Sequence, residues 1–446
     1  MLAAAAFALG YLAATATAFA ATVDELPLID EPESIQLPGD WDHLDFYLIT
    51  VDVGDQVWNN FGHTALRVID RNTDSDMLFN WGLFDTSAGL VPFVLNFMRG
   101  IMDYQLGVFP PEWELARYQQ EQRTVWQDRI NLSRSQKETL YRRLAWNLRD
   151  ENIVYSYDYF DDNCTTRVRD YLDEALQGQI ERKHRALTQV SYREEVRSHY
   201  ASIPLISVSL DILMNQGIDQ RLNQWQQMFL PLELRRHLLT MPSAVFENGQ
   251  RLPLLSDSER LTEFPSPQGF LDGYYFVAVL YLPLLLLLLS IGKQPLTSLS
   301  SQPGFTLRAP ALNYRLLGLV GCLLALASGI YGLIMLLAWL FSAHADLHAN
   351  INLLLFWPTD LLGLAISLRW LLRGQAARIS MGLNQWASIY LGLRIMSILI
   401  YLLLGVSGLL AQNTGAVMLY CAPLMLLYTT IAWMTGLKPV RTFRFS

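Results

Sequence analysis

Cysteine is scarce: three occur in 446 residues, and two of them, Cys322 and Cys421, fall in long apolar runs. No disulfide framework can organise the remaining chain, so Cys164 stands alone as a thiol among polar and aromatic residues. In an oxidising compartment such a thiol needs a reason, either reactivity or deep burial. Dense blocks of Lys and Arg are missing too, which excludes a nucleic-acid patch. Lys and Arg are also absent ahead of the apolar run at residues 1 to 21, which ends in the small-x-small pattern Ala18-Phe19-Ala20. That run is expected to be a secretory leader or an uncleaved anchor, and either places the residues after it outside the cytoplasm.

The net charge of -8 averages two unlike halves. Residues 22 to 269 mix charged, aromatic and turn-forming residues as an extracytoplasmic globular domain does, whereas 270 to 446 are dominated by Leu-rich runs of membrane-spanning length. Spans are expected at about 274 to 291, 314 to 341, 351 to 372, 386 to 410 and 416 to 436. Lys293, Arg308, Arg373, Arg378 and the tail residues Lys438, Arg441 and Arg444 fall on one side of such a bundle, while the loops Ser342 to Asn350 and Ala411 to Gly415 carry no Lys or Arg. The positive-inside rule then makes the C-terminus cytoplasmic and residues 22 to 269 extracytoplasmic. Arg394, within the fourth run, is close enough to its cytoplasmic end to snorkel and need not be functional.

In the outer half, Pro27 to Asp42 reads as a linker, and Asp45 to Asp52, Thr64 to Ile69 and Met77 to Trp81 read as strands of a meander. Pro110 to Tyr118 and Ser133 to Leu148 have helical spacing, the second opened by a capping box of Ser133 and Gln136. From Val168 apolar residues recur at helical intervals, so Asp162 or Asn163 is the expected N-cap and Cys164 lies in the first helical turn. That position favours thiolate over thiol and offers backbone N–H groups to an oxyanion.

A nucleophilic thiol needs a base. Of seven histidines, His63 is the preferred one, because it starts a strand just after Gly62. Asn80 is the first candidate to orient its imidazole and Asp85 the second. Asn80 alternatively satisfies turn backbone. Arg67, Arg167 and Arg169 could meet substrate phosphate or carbonyl groups, with ion pairing to nearby Asp residues the expected use. In the loop His344 to Asn352, the His344-x-x-x-His348 pair lacks a third metal ligand. His344, Asn350 and Asn352 are instead expected to line the gap where a lipid ester meets the outer domain, and no metal or cofactor is expected.

A His-bearing strand followed about 100 residues later by Asn-Cys at a helix start resembles circularly permuted papain-like folds of the lecithin:retinol acyltransferase and NlpC type. The strings Phe-Gly-His63-Thr-Ala-Leu-Arg-Val, Asn80-Trp-Gly-Leu-Phe-Asp85, Tyr-Asp-Tyr-Phe-Asp-Asp-Asn-Cys164-Thr-Thr-Arg-Val-Arg-Asp170 and Met228-Phe-Leu-Pro231 look similar to the Lnb family of bacterial lipoprotein intramolecular acyltransferases. The resemblance implies a papain-like α+β domain on about five transmembrane helices in the bacterial inner membrane. It also implies catalysis by Cys164 and His63 on a membrane lipid or lipoprotein substrate; Asn163 and Arg167 are further candidates for supporting groups. The rival functions are a cell-envelope thiol peptidase or amidase using the same pair, and a non-catalytic membrane scaffold with a buried Cys164.

Overall fold

The computed structural model describes residues 40–84, 95–96, 99–241, 244–245, 251–269, 272–294 and 304–440. The expected leader, nearly all of the linker, Asp85, Arg441 and Arg444 lie outside these. Two compact units divide the chain, one of Tyr11–Ile203 with Gln220–Phe270 and one that includes Pro204–Asp219 and Leu271–Ser446.

The first unit is built on seven strands, β1 (Leu44–Val51), β2 (His63–Asp70), β3 (Ser75–Phe84), β4 (Asp103–Phe109), β5 (Val125–Ile130), β6 (Val154–Ser156) and β7 (Leu255–Thr262), in the order β7-β5-β1-β2-β3-β4-β6. All neighbours are antiparallel. Its main helices are α1 (Pro111–Gln120), α2 (Arg134–Asn147), α3 (Cys164–Ala175) and α4 (Pro231–Leu239). Central strand β1 is buried on both faces. Leu44, Phe46 and Leu48 share a core with Leu140 of α2, Val168 and Leu172 of α3 and Leu234 of α4, while Ile49 and Val51 pack with Tyr118 of α1. Each such aliphatic side chain contributes about 1.5–3 kcal/mol by leaving water, so helices cover both faces of the sheet. The expected box at α2 is present, with the Gln136 side chain accepting the Ser133 N–H at 2.9 Å.

In the membrane unit, α7 (Pro310–Phe341), α9 (Met381–Ser407) and α10 (Gly415–Thr435) are long and apolar enough to cross a bilayer, and Ala345–Leu354 with Pro358–Arg373 makes a fourth span only if its 57° bend is crossed. Three of the five expected runs are continuous helices, and proline accounts for the breaks in the other two. The run at 274 is divided into α5 (Tyr274–Ala278) and α6 (Tyr281–Leu289), because Pro283 has no N–H to continue the helix onto Val279. In the other run Trp357 is extended at φ -101°, ψ 130° ahead of Pro358, so helical structure resumes at Pro358 and becomes α8 (Gly363–Arg373) further on.

Arg394 does not snorkel. It is 3 % exposed, its guanidinium donates to the Leu355 carbonyl at 2.7 Å and pairs with Asp360 at 2.9 Å, and Tyr390 donates to the same carboxylate at 2.6 Å. Ser397 donates to the Leu354 carbonyl at 2.5 Å, so the carbonyls stranded at the break find donors within the unit.

The short apolar helix Pro204–Leu213, from the middle of the expected outer domain, belongs to the membrane unit. Asn350 donates to the carbonyls of Ile212 and Leu213, at 2.9 and 2.8 Å, and Asn352 to that of Ile212 at 2.8 Å. Asn350, Asn352 and His344 are buried, so they do not form an open lipid-facing loop. The two asparagines close the end of a helix whose last carbonyls would otherwise be unpaired.

Candidate functional site

Backbone geometry at Gly62 sets the imidazole at the end of β2. Gly62 has φ +85°, and a Cβ there would sit 2.7 Å from the Val51 carbonyl oxygen and 3.2 Å from Pro231 Cγ, so glycine alone fits this turn. The β2–β3 register pairs Ala65 with Asn80, which brings Asn80 diagonally opposite His63 on the same face. His63 Nε2 and Asn80 Oδ1 are 2.7 Å apart. Behind Asn80 lies a residue that the sequence did not signal: Glu114 of α1, 1 % exposed, accepts Asn80 Nδ2 at 3.0 Å and is paired with Arg117 at 2.6 Å.

This chain decides a tautomer. A carboxylate paired with a guanidinium only accepts, so Asn80 must turn its amide N–H₂ toward Glu114 and its oxygen toward His63. The imidazole then carries its proton on Nε2 and leaves Nδ1 as the free lone pair, available as a base.

On the opposite side of the sheet end, Asn163 caps α3 by accepting the N–H groups of Thr165 and Thr166 at 2.8 and 2.9 Å. Its own amide donates to the carbonyls of Tyr159 at 2.8 Å and Phe229 at 3.1 Å. The Met228-Phe-Leu-Pro231 string thus serves the cap, with Phe229 and Leu230 buried beneath it and Pro231 opening α4. Thr64, the neighbour of His63, lies 3.1 Å from Thr165 through the two hydroxyls, and its backbone amide meets the Cys164 thiol. His63 and Cys164 therefore flank the same pair of threonines, and both are half-buried.

Electrostatics keep the resting pair uncharged. Burial, then the charges of Arg123 and Arg117, pull His63 from 6.5 to about 3 against the Asn80 hydrogen bond. Burial pushes the Cys164 thiol above its ordinary value, opposed by the amides of Thr64 and Thr165, the Thr165 hydroxyl and Arg123. The helix start alone favours thiolate, but desolvation of the charged form outweighs it. The proton rests on sulfur, and the imidazole is neutral. Arg123, 4 % exposed, disfavours charge on the imidazole and favours it on the sulfur, a role invisible in the sequence.

The other candidates are engaged. Arg167 is bidentate to Asp162 at 2.5 and 2.7 Å and lies 4.0 Å over the Tyr155 ring. Arg67 pairs with Asp76, and Arg169 with Asp170 while covering Trp225 at 3.9 Å. Cys322 and Cys421 are buried in the membrane unit.

Acid should loosen the first unit. His63 falls to about 3 and His237 to about 4, each mainly by burial, and burial also lowers His184. An unfolded chain binds these protons below about 6.5 and the folded one does not. The stability these groups allow is complete above pH 6.5 and is lost as pH falls through 4 toward 3. Intrinsic-fluorescence melting of the full-length protein in detergent is expected at lower temperature at pH 4.5 than at 7.5, and His237→Phe should reduce the difference; equal melting at both pH values would contradict this account.

A strand-end histidine held by a cross-strand asparagine, ahead in the chain of a cysteine opening a helix, defines a mixed α+β domain of the permuted papain-like class, here followed by a helical membrane region. Residues 35–197 match the family model of the Lnb N-terminal periplasmic domain and residues 311–438 that of the Lnb transmembrane domain. The chain belongs to the Lnb family and is an inner-membrane protein of lipoprotein processing with a periplasmic N-terminal domain. No curated protein and no solved structure matches it.

Proposed function

We propose that the protein is a Cys-His acyltransferase that moves an acyl chain from the diacylglyceryl group of a lipoprotein to the α-amine of the same N-terminal cysteine. The observation that carries this reading is the fixed tautomer of His63, set by Asn80 at 2.7 Å, on a strand that the Thr64–Thr165 hydroxyl contact ties to the start of the helix bearing Cys164, in a protein with a membrane unit. As the Cys164 sulfur attacks the ester carbonyl, its proton passes to His63 Nδ1 and the carbonyl electron pair moves onto oxygen. Collapse breaks the ester C–O bond, the imidazolium returns the proton to the departing alkoxide, and Cys164 holds the chain as a thioester. The α-amine, with a pKa near ~8 and so partly neutral outside the cell, then forms the C–N bond. His63 takes the amine proton and delivers it to the leaving sulfur, which restores the thiol.

An apolar groove in the membrane unit, lined by Leu205, Val208, Phe276, Leu280, Leu324 and Met425 among others, is compatible with a substrate bearing long hydrocarbon chains. The distribution of Lys293, Arg308, Arg373, Arg378 and Lys438 favours a cytoplasmic C-terminus.

Glu114 enters this mechanism as a positioning residue. Glu114→Ala frees the Asn80 amide to turn over and is expected to lower kcat about 10–100-fold, the range for groups that orient a reactive side chain. KM should stay near the wild-type value, and Glu114→Gln, whose amide oxygen can still accept from Asn80, should recover part of the loss. Equal rates for Glu114→Ala and wild type would remove Glu114 from the chain.

Mass spectrometry of lipoprotein N-termini from cells carrying the wild type or Cys164→Ser tests the function itself. N-acylated lyso-form lipoprotein is expected with the wild type and absent with the variant. Identical lipid forms in both would overturn the acyltransferase reading, and cleaved envelope peptides in place of altered lipoproteins would favour a thiol peptidase.

A further inference from the structure

The Tyr155 hydroxyl is a buried polar group without a partner among the described residues. Tyr155 is 6 % exposed, yet its oxygen makes no hydrogen bond to any of them. Leaving a buried hydroxyl unpaired typically costs about 1–3 kcal/mol, and folded proteins keep few such groups without a use. The position is well defined. Tyr155 lies on β6 opposite Tyr104 of β4, in the same core as the buried face of α3, with Cys164 packed against that core. Arg167, one turn beyond Cys164, covers its ring at 4.0 Å and is itself held by Asp162.

We propose that the Tyr155 hydroxyl is a catalytic donor to the carbonyl oxygen as Cys164 attacks, forming with the Cys164 backbone N–H the site that stabilises the tetrahedral oxyanion. This rests on the acyl-transfer reading for its substrate, but the acylation half-reaction it concerns is shared by transfer and hydrolysis. The orphan oxygen and the nearby sulfur carry the inference together. Burial and the proximity of the Cys164 sulfur hold the hydroxyl well above the usual tyrosine range, so it keeps its proton as negative charge develops close by. In the attack the S–C bond forms, the carbonyl π pair moves onto oxygen, and the thiol proton goes to His63. The tyrosine shares its proton with the oxyanion without releasing it and is unchanged when the oxyanion collapses. Arg167, which the sequence suggests as a supporting group, fixes the ring from above and adds positive charge behind it.

Tyr155→Phe removes one oxygen and leaves the ring. The test uses full-length protein in detergent with a long-chain p-nitrophenyl ester, whose coloured burst reports acylation of Cys164 whether or not an amine accepts the chain. The expected burst rate falls at least tenfold, toward the 10²–10³-fold loss typical when one oxyanion donor is deleted. Cys164 alkylation by iodoacetamide should stay within twofold of wild type, because that reaction forms no oxyanion, and the melting temperature should stay equal or rise, since the lost hydroxyl had no partner. A burst rate within twofold of wild type would overturn the proposal, as would a lowered melting temperature, which would reveal a structural partner. A wild-type protein with no burst would overturn it too. A normal wild-type burst without transfer to amine would count against the proposed function and leave this assignment standing.

Discussion

Cys164→Ala is expected to abolish acyl transfer, and His63→Ala to reduce it by at least 10²–10⁴-fold, the usual contribution of a general acid–base group. The loss should be larger for the cysteine, because without sulfur no thioester forms and the remaining donors have nothing to stabilise. His63 matters more than in a preformed ion pair. Its imidazole is pulled down to about 3 and the thiol is pushed up, so no standing thiolate survives to react when the base is removed. The double variant should be no worse than Cys164→Ala alone, since the two groups act on one proton. Rates measured on a diacylglyceryl lipopeptide with a free amine check this, and a Cys164→Ala protein that keeps a tenth of wild-type activity would contradict it.

The second large effect lies in the membrane unit. Arg394→Leu leaves Asp360, 13 % exposed at its side chain, without its cation and withdraws the donor from the Leu355 carbonyl. Hydrogen bonds between membrane helices average only about 0.6 kcal/mol, but stranding one member of a buried ion pair costs about 3–5 kcal/mol, and the stranded charge decides the outcome. A drop of roughly 10 °C in the melting temperature is expected for a loss of that size, read by size-exclusion of the heated full-length protein. The double variant Arg394→Leu, Asp360→Leu removes both charges and should regain part of it. If Arg394→Leu melts with the wild type, the pair is not what holds the broken span.

The features legible in the sequence were those that depend on neighbours along the chain. The alternation of β1 to β3, the Ser133 box and the Asn163 cap are local, and all appear where the residues put them. His63 and Asn80 could be paired in advance because two adjacent strands fix their register. Glu114 could not, since its position behind Asn80 exists only once α1 folds onto the sheet. Strand β7 was hidden because Ser256 to Thr262 is polar and mostly exposed, which leaves no alternation to see. Pro204–Leu213 is apolar but only ten residues long, too short to announce a place in the membrane unit. The breaks in two of the expected spans were hidden for a related reason, as hydropathy runs on through Pro283 and Pro358 while the backbone does not.

The most direct measurement is the mass of the Cys164 peptide after the full-length protein meets a diacylglyceryl lipopeptide whose α-amine is blocked. With no acceptor the acyl-enzyme should accumulate, and the Cys164 peptide should gain one acyl chain that neutral hydroxylamine removes. An unmodified Cys164 peptide, alongside transfer to the unblocked substrate at the normal rate, would contradict the thioester mechanism.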